Sequence, residues 1–212
     1  MILSFPTDQR IAHTLQPYGV SATPTLCASI RIYIELLLRW NKKIALTTVT
    51  DPFEILRFHF GESMFAAGQV PIRHGRLADV GTGAGFPAVP LSMVVPELYC
   101  ILIESNQKKA AFLAEVVRTL ALGRIEVYRG RMESFASSAE KFDFSISRAL
   151  GMHDKFLDWS SNHLSPSGKV VLWLGEADAN QIASHSTWIW QDPSLIPNSQ
   201  QRVLLVGSRA TA

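Results

Sequence analysis

The residues best suited to chemistry stand in one short run, Asp79-Val80-Gly81-Thr82-Gly83-Ala84-Gly85-Phe86-Pro87. Glycines at alternate positions let a backbone turn sharply and approach a ligand closely. Glu104 ends the next apolar run, where a carboxylate can accept two ribose hydroxyls. Together they describe a site for a nucleoside-bearing cofactor. A nicotinamide dinucleotide favours G-x-G-x-x-G, whose third glycine packs helix on strand. Here the spacing is G-x-G-x-G, and Asp79 stands two residues ahead of the first glycine. A pyrophosphate seeks bare amides and a helix N-terminus rather than a carboxylate. S-adenosylmethionine carries a cationic amino group and a sulfonium but no phosphate, so these residues favour the methyl donor over a dinucleotide. Glycines that serve only a tight turn are the remaining reading, and the spacing leaves it open.

The elements around the loop follow from periodicity. Leu26, Ile30, Tyr33, Ile34, Leu37 and Leu38 recur along one helical face, so residues 25–40 are predicted helical. Asp51-Pro52-Phe53-Glu54 predicts a second helix start, with Asp51 as cap, Pro52 at the first turn and Glu54 reaching back, and a helix running to about Gly68. From Arg76 the pattern changes to strands alternating with helices. Strands are predicted at 77–80, 99–103, 125–128, 142–147 and 169–174, the last after a Pro166-Ser167-Gly168 turn. A helix over 105–122 is predicted to be capped by Ser105 and ended by Gly123. Two late strands, 187–191 and 202–206, have too short a connection for a parallel crossover and should pair antiparallel. The expected fold is therefore α/β, a mostly parallel Rossmann-like sheet covered on both faces, with ligands at the carboxyl ends of its strands. Residues 1–75 form an N-terminal helical cap and 76–212 the sheet domain in this reading.

Bulk properties exclude several classes. The 212 residues are 47% hydrophobic and 18% charged, which implies a packed core and not global disorder. A formal net charge of +2 is far from the strongly basic signature of an obligate nucleic-acid binder. The small excess of Lys and Arg lies before Arg76, where Lys42 and Lys43 can meet a phosphate or solvent. Cys27 and Cys100 belong to no CxxC pair, which argues against a zinc site or disulfide framework and fits a reducing cytoplasm. No basic start followed by an apolar stretch opens the chain, and the most apolar helix is broken by Arg31, Glu35 and Arg39, so a membrane location is not expected. Trp159, Trp173, Trp188 and Trp190 are expected in core or sheet, and His59 as a packed histidine.

Several spaced stretches now carry a resemblance. Leu77–Leu91, Trp40-Asn-Lys-Lys-Ile-Ala-Leu-Thr47 with Asp51-Pro52, Lys108-Lys-Ala-Ala-Phe-Leu113 and Ile146-Ser-Arg-Ala149 together resemble the bacterial small-subunit ribosomal RNA guanine-7-methyltransferases, also called glucose-inhibited division protein B. The resemblance runs from about Leu26 to Leu174. It implies a class I S-adenosylmethionine-dependent methyltransferase with an N-terminal helical extension. It also implies transfer to the 7-nitrogen of a guanine in 16S ribosomal RNA, free or in the small subunit, by a monomer. Carried over by motif, Asp79, Gly81, Gly83, Phe86, Glu104, Met132, Glu133 and Arg148 are the expected cofactor-binding residues, with Arg148 also facing the reacting base. Three positions depart from the family pattern. Ala45 stands where an Asn is usual, Glu62 where the helical motif has Asp, and Leu174 where the fifth strand commonly carries Lys.

The residues alone also allow a methyltransferase for a small molecule or protein, a nicotinamide enzyme, or an RNA-binding protein with a decayed donor site.

Overall fold

In a computed structural model, which describes residues 4–136, 140–148, 151–184 and 187–210, the chain is built on one twisted eight-stranded sheet. The strands are β1 (Gly75–Val80), β2 (Leu98–Glu104), β3 (Ile125–Arg129), β4 (Phe142–Arg148), β5 (Leu164–Gly175), β6 (Trp188–Trp190), β7 (Ser194–Leu195) and β8 (Arg202–Arg209). The order across the sheet is β3-β2-β1-β4-β5-β8-β6, with β7 also on β8. The first five strands pair in parallel, whereas β8 runs antiparallel to β5 and β6. Residues 166–168, expected as a turn before the fifth strand, are instead absorbed into it as an irregularity between Phe142↔Leu164 and Phe144↔Lys169.

Alternation along the strands builds two cores. Leu77, Cys100, Leu102, Ile146, Val171 and Leu204 point to one face, and Ala78, Ile101, Ile103, Val170, Leu172 and Leu205 to the other. The first face is covered by α1 (Asp8–Leu15), α2 (Pro24–Asn41), α4 (Glu62–Gln69), α5 (Ala88–Val94) and α6 (Gln107–Thr119). The second is covered by α7 (His153–His163) and α8 (Glu176–Ile182). Burying both faces explains why the parallel strands are near-continuous apolar runs. The N-terminal helices share one core with the sheet, since Tyr33, Ile34 and Phe60 pack in the same cluster as Leu77 and Leu102. Cys100 is one of its small buried members, and burial pushes its thiol up to about 12.

Local signals differ from expectation in three places. Asp51 does cap α3 (Pro52–Ile55) through Phe53 N and Glu54 N, each at 2.9 Å, but Glu54 turns forward to Arg57 instead of back. The helix then widens into a π segment, Leu56–Gly61, before α4. The cap of α6 is Asn106, not Ser105, because Glu104 takes the Asn106 amide and delays the helix by one residue. That helix stops at Thr119, and Ala121 rather than Gly123 takes the left-handed conformation, at φ +51°.

Candidate active site

The glycine loop leaves β1 and is braced from beneath. Gly81, Gly83 and Gly85 have φ of +71°, +61° and +83°, in the region that penalises a Cβ. Asp79 is 0% exposed. Its Oδ2 accepts from Thr82 Oγ1 at 2.7 Å and Ala88 N at 3.1 Å. It therefore organises the loop from the interior and does not stand at its mouth. Glu104 lies beside it across the β1–β2 pairing and accepts from Gly83 N at 3.0 Å and Asn106 N at 2.7 Å. A third brace comes from α2, where the buried Tyr33 hydroxyl donates to the Ala84 carbonyl at 2.5 Å.

A cleft of about 370 Å³ opens over the ends of β1, β2 and β3. Gly81, Met132 and Glu133 line it together with Ser105, Gly130 and Lys155. Of the other expected cofactor residues, Asp79, Gly83, Phe86, Glu104 and Arg148 do not line this cleft. Ser105, Gly130 and Lys155 escape sequence reasoning because nothing in their type marks them. Ser105 and Gly130 directly follow β2 and β3, whereas Lys155 lies in the first turn of α7.

A larger cavity of about 550 Å³ lies over the ends of β4, β5 and β8. Its lining includes Phe58, His59, Glu62, Arg148, Trp173 and Arg202. Leu174, where the family usually has Lys, forms part of its apolar wall. The cavity and the cleft are joined by a third hollow, which shares Gly151, His153 and Asp178 with the former and Met152 and Lys155 with the latter. The three hollows, linked by these shared lining residues, lie along the carboxyl edge of the sheet, where ligands bind in this architecture.

Arg148 stands at the end of β4 and is held on three sides. Nη1 donates to the Phe58 carbonyl at 3.1 Å, Nη2 donates to His59 Nδ1 at 2.9 Å, and the guanidinium lies 5.6 Å from the centroid of Phe86. The first two partners belong to the π segment. Asp143, a conceivable ion-pair partner, is engaged by Arg76 N. Because an arginine only donates, His59 Nδ1 must be the acceptor, so Nε2 carries the proton and donates to Thr47 Oγ1 at 2.8 Å. Burial and the Arg148 charge hold the imidazole neutral, with its pKa lowered to about 3. Asn41 in turn accepts from Leu46 N and Thr47 N and donates to the Thr47 carbonyl. The N-terminal motif is thereby connected to the site through Asn41, Thr47, His59 and Arg148. Phe86 anchors the same cluster, stacked on Tyr33 at 5.3 Å and on His59 at 4.8 Å. Ala149, the last residue of the fourth-strand motif, lies outside the described residues.

Comparison with known proteins decides between the readings this geometry allows. A model of the family described as rRNA small subunit methyltransferase G matches residues 26–201. The chain belongs to that family. It is 36% identical over 176 residues to the Ribosomal RNA small subunit methyltransferase G of Escherichia fergusonii, covering 82% of this chain and 83% of that protein. It is 32% identical to Ribosomal RNA small subunit methyltransferase G 1 of Syntrophobacter fumaroxidans, covering 89% and 88%. The fold is that of class I methyltransferases. A SAM dependent methyltransferase from Aquifex aeolicus superposes with a TM-score of 0.59 at 16% identity, over 69% of this chain and 88% of that one.

Two expectations arise directly from the braces. Tyr33→Phe leaves the buried Ala84 carbonyl without its donor and should destabilise the protein by about 1–3 kcal/mol in urea unfolding. A variant as stable as wild type would show that this hydrogen bond does not hold the loop. The second concerns pH. Burial pushes the Asp79 carboxyl up to about 7, whereas burial and Arg148 depress His59 to about 3. Between pH 7 and 5 the unfolded chain gains a proton at His59 that the folded chain refuses, which removes stability. Over the same range the folded chain gains one at Asp79 that the unfolded chain refuses, which adds stability. The two contributions oppose each other. Asp79→Asn removes the second, so acidification from pH 7 to 5 should destabilise the variant by about 2 kcal/mol more than wild type. Parallel stability–pH curves for the two proteins would contradict the assignment.

Proposed function

We propose that this chain transfers a methyl group from S-adenosylmethionine to the 7-nitrogen of a guanine in 16S ribosomal RNA. The observation that carries the reading is the family match over residues 26–201 on a chain with a cleft beside the glycine loop and a second, larger cavity at the same sheet edge.

The cleft suits the donor. Gly81 offers bare backbone at its floor, and a Cβ placed on Gly83 would meet only the Gly81 carbonyl, at 3.9 Å, so the loop is open. Glu133 supplies an anion for donor hydroxyls or its amino group, and Arg131 and Lys155 supply cations for its carboxylate. Asp79, Gly83 and Glu104 shape the loop, and Phe86 positions Arg148. S-adenosylmethionine, when bound, supplies an electrophilic methyl on a positively charged sulfur.

The chain's own residues need little acid–base chemistry. Guanine N7 has an in-plane lone pair and no proton, so no general base is required. Arg148 binds O6 of the guanine and orients N7 towards the cleft. His59 keeps that guanidinium aimed and, being neutral, adds no competing charge. Alignment of N7 with the donor methyl supplies most of the acceleration.

The reaction takes place in the cytoplasm, on the free RNA or the small subunit, and is carried out by a monomer whose first 75 residues act as a helical cap. No helix among the described residues is long and apolar enough to cross a membrane. The deciding experiment supplies radiolabelled S-adenosylmethionine with unmodified small subunits, their naked RNA, or RNA-free extract. Label recovered as 7-methylguanosine in ribosomal RNA is the expected result. Label confined to the RNA-free extract would move the substrate to another class.

A further inference from the structure

One carboxylate in the larger cavity has no part in the reaction as described. Glu62 opens α4 directly after the π segment, is 4% exposed, and lines the cavity. Its Oε1 accepts from Nε of Arg202 at 2.9 Å, and Nη2 of the same guanidinium lies 2.6 Å away as an ion pair. Its Oε2 accepts from no described residue, yet it is not among the sealed, unpartnered atoms of the interior. A buried carboxylate is costly unless paired. Here one oxygen is paired and the other is left facing the cavity, an acceptor without a donor.

The surroundings hold that oxygen in place. Arg202 reaches Glu62 from β8, and its guanidinium lies 4.8 Å from the centroid of the Phe58 ring. Arg57 lies 4.1 Å from the same centroid. Trp173 Nε1 donates to the Glu62 carbonyl at 2.7 Å. Glu62 is therefore fixed at backbone and side chain, against two aromatic walls.

Sheet order then places the polar groups in sequence. The cleft lies over β1 to β3, Arg148 ends β4 next to β1, and Arg202, which holds Glu62, lies on β8 beyond β5. Moving away from the cleft, the sheet edge offers a donor and then an acceptor. Around guanine, N7 is followed by the O6 acceptor and then by the N1–H and 2-amino donors. The two orders match when N7 faces the cleft. Adenine presents a 6-amino group to Arg148 and an unprotonated N1 to Glu62, so both contacts turn unfavourable.

We propose that Glu62 selects guanine by accepting from N1–H and the 2-amino group through Oε2, with Arg202 as the residue that positions the carboxylate. This assignment rests on the reading that a guanine is the methyl acceptor. The test is a nucleotide titration with S-adenosylhomocysteine saturating the cleft, so that only the larger cavity is available. Binding of GMP, IMP and AMP is followed by intrinsic tryptophan fluorescence, with Trp173 as the reporter in the cavity. IMP differs from GMP only in lacking the 2-amino group. Wild type should bind GMP about 10- to 100-fold more tightly than IMP, and AMP no better than IMP. Glu62→Gln should lose most of that preference while binding S-adenosylhomocysteine as wild type does. Absence of GMP binding, equal binding of GMP and IMP by wild type, or an undiminished preference in Glu62→Gln would overturn the proposal. The wild-type comparison decides even if the variant folds poorly. A protein that prefers GMP to IMP but methylates no ribosomal RNA keeps this assignment and loses the substrate reading. One that methylates ribosomal RNA yet ignores the 2-amino group does the reverse.

Discussion

Gly81→Val should abolish measurable binding of S-adenosylmethionine. Gly81 has φ +71° and lines the smaller cleft, and its amide donates to the Ile103 carbonyl at 3.0 Å. A β-branched side chain at that angle is a strong steric outlier. Either the loop shifts to relieve it, which breaks the cleft floor, or the valine stays and its methyls occupy the space of the ligand. Backbone strain and overpacking each cost about 1–3 kcal/mol. Together they correspond to about 30-fold at the low end and about 20,000-fold at the high end in affinity. Calorimetry on the variant and on the milder Gly81→Ala should show graded losses, with thermal melting to confirm that both remain folded. Wild-type affinity in a folded Gly81→Val protein would remove the donor from this cleft.

Arg148→Ala should cost turnover far more than donor binding. Removing one preorganised donor from a reacting centre typically lowers kcat about 100- to 1,000-fold, and the same range is expected here on unmodified small subunits. Affinity for S-adenosylhomocysteine should stay within a few-fold, because Arg148 lines the larger cavity and not the cleft. Stability should fall moderately, since the Phe58 carbonyl loses its donor. Arg148→Lys should not rescue activity. A single ammonium cannot serve Phe58 and His59 with the spacing of a guanidinium and still present donors to a base. Methylation at the wild-type rate by Arg148→Ala would show that Arg148 has no essential role, and by Arg148→Lys that the guanidinium geometry is not needed.

Much of this was legible in the residues. The parallel sheet and the helix over residues 25–40 follow from periodicity, because two buried sheet faces and one buried helix face write themselves into apolar spacing, and the antiparallel end follows from the short connection between its strands. Gly81 was legible as a cofactor candidate from the glycine loop, and Met132 and Glu133 only through the family resemblance. What escaped was the second cavity. Phe58 and Glu62 are far in the chain from Trp173 and Arg202, and only the pairing of β8 with β5 brings Arg202 to the helical side. The π segment was equally hidden. Its residues have ordinary helical composition, and the wider turn is set by packing against Phe86 and Arg148. Phe86 itself, expected against the cofactor, sits under the site in an aromatic stack, since its ring is better satisfied by Tyr33 and His59 than by an open cleft. Asp79 was placed at the loop by spacing, but only the fold shows that both contacts it makes are internal.

The position of Arg202 on β8 has a consequence in time. A chain emerging from the ribosome completes β1 to β4, the glycine loop and the N-terminal helices before Arg202 has been added. Until β8 enters the sheet, Glu62 has no guanidinium to hold it and the larger cavity lacks one wall. On the proposed assignment, the residues that line the donor cleft therefore all precede in the chain the arginine that completes the base pocket.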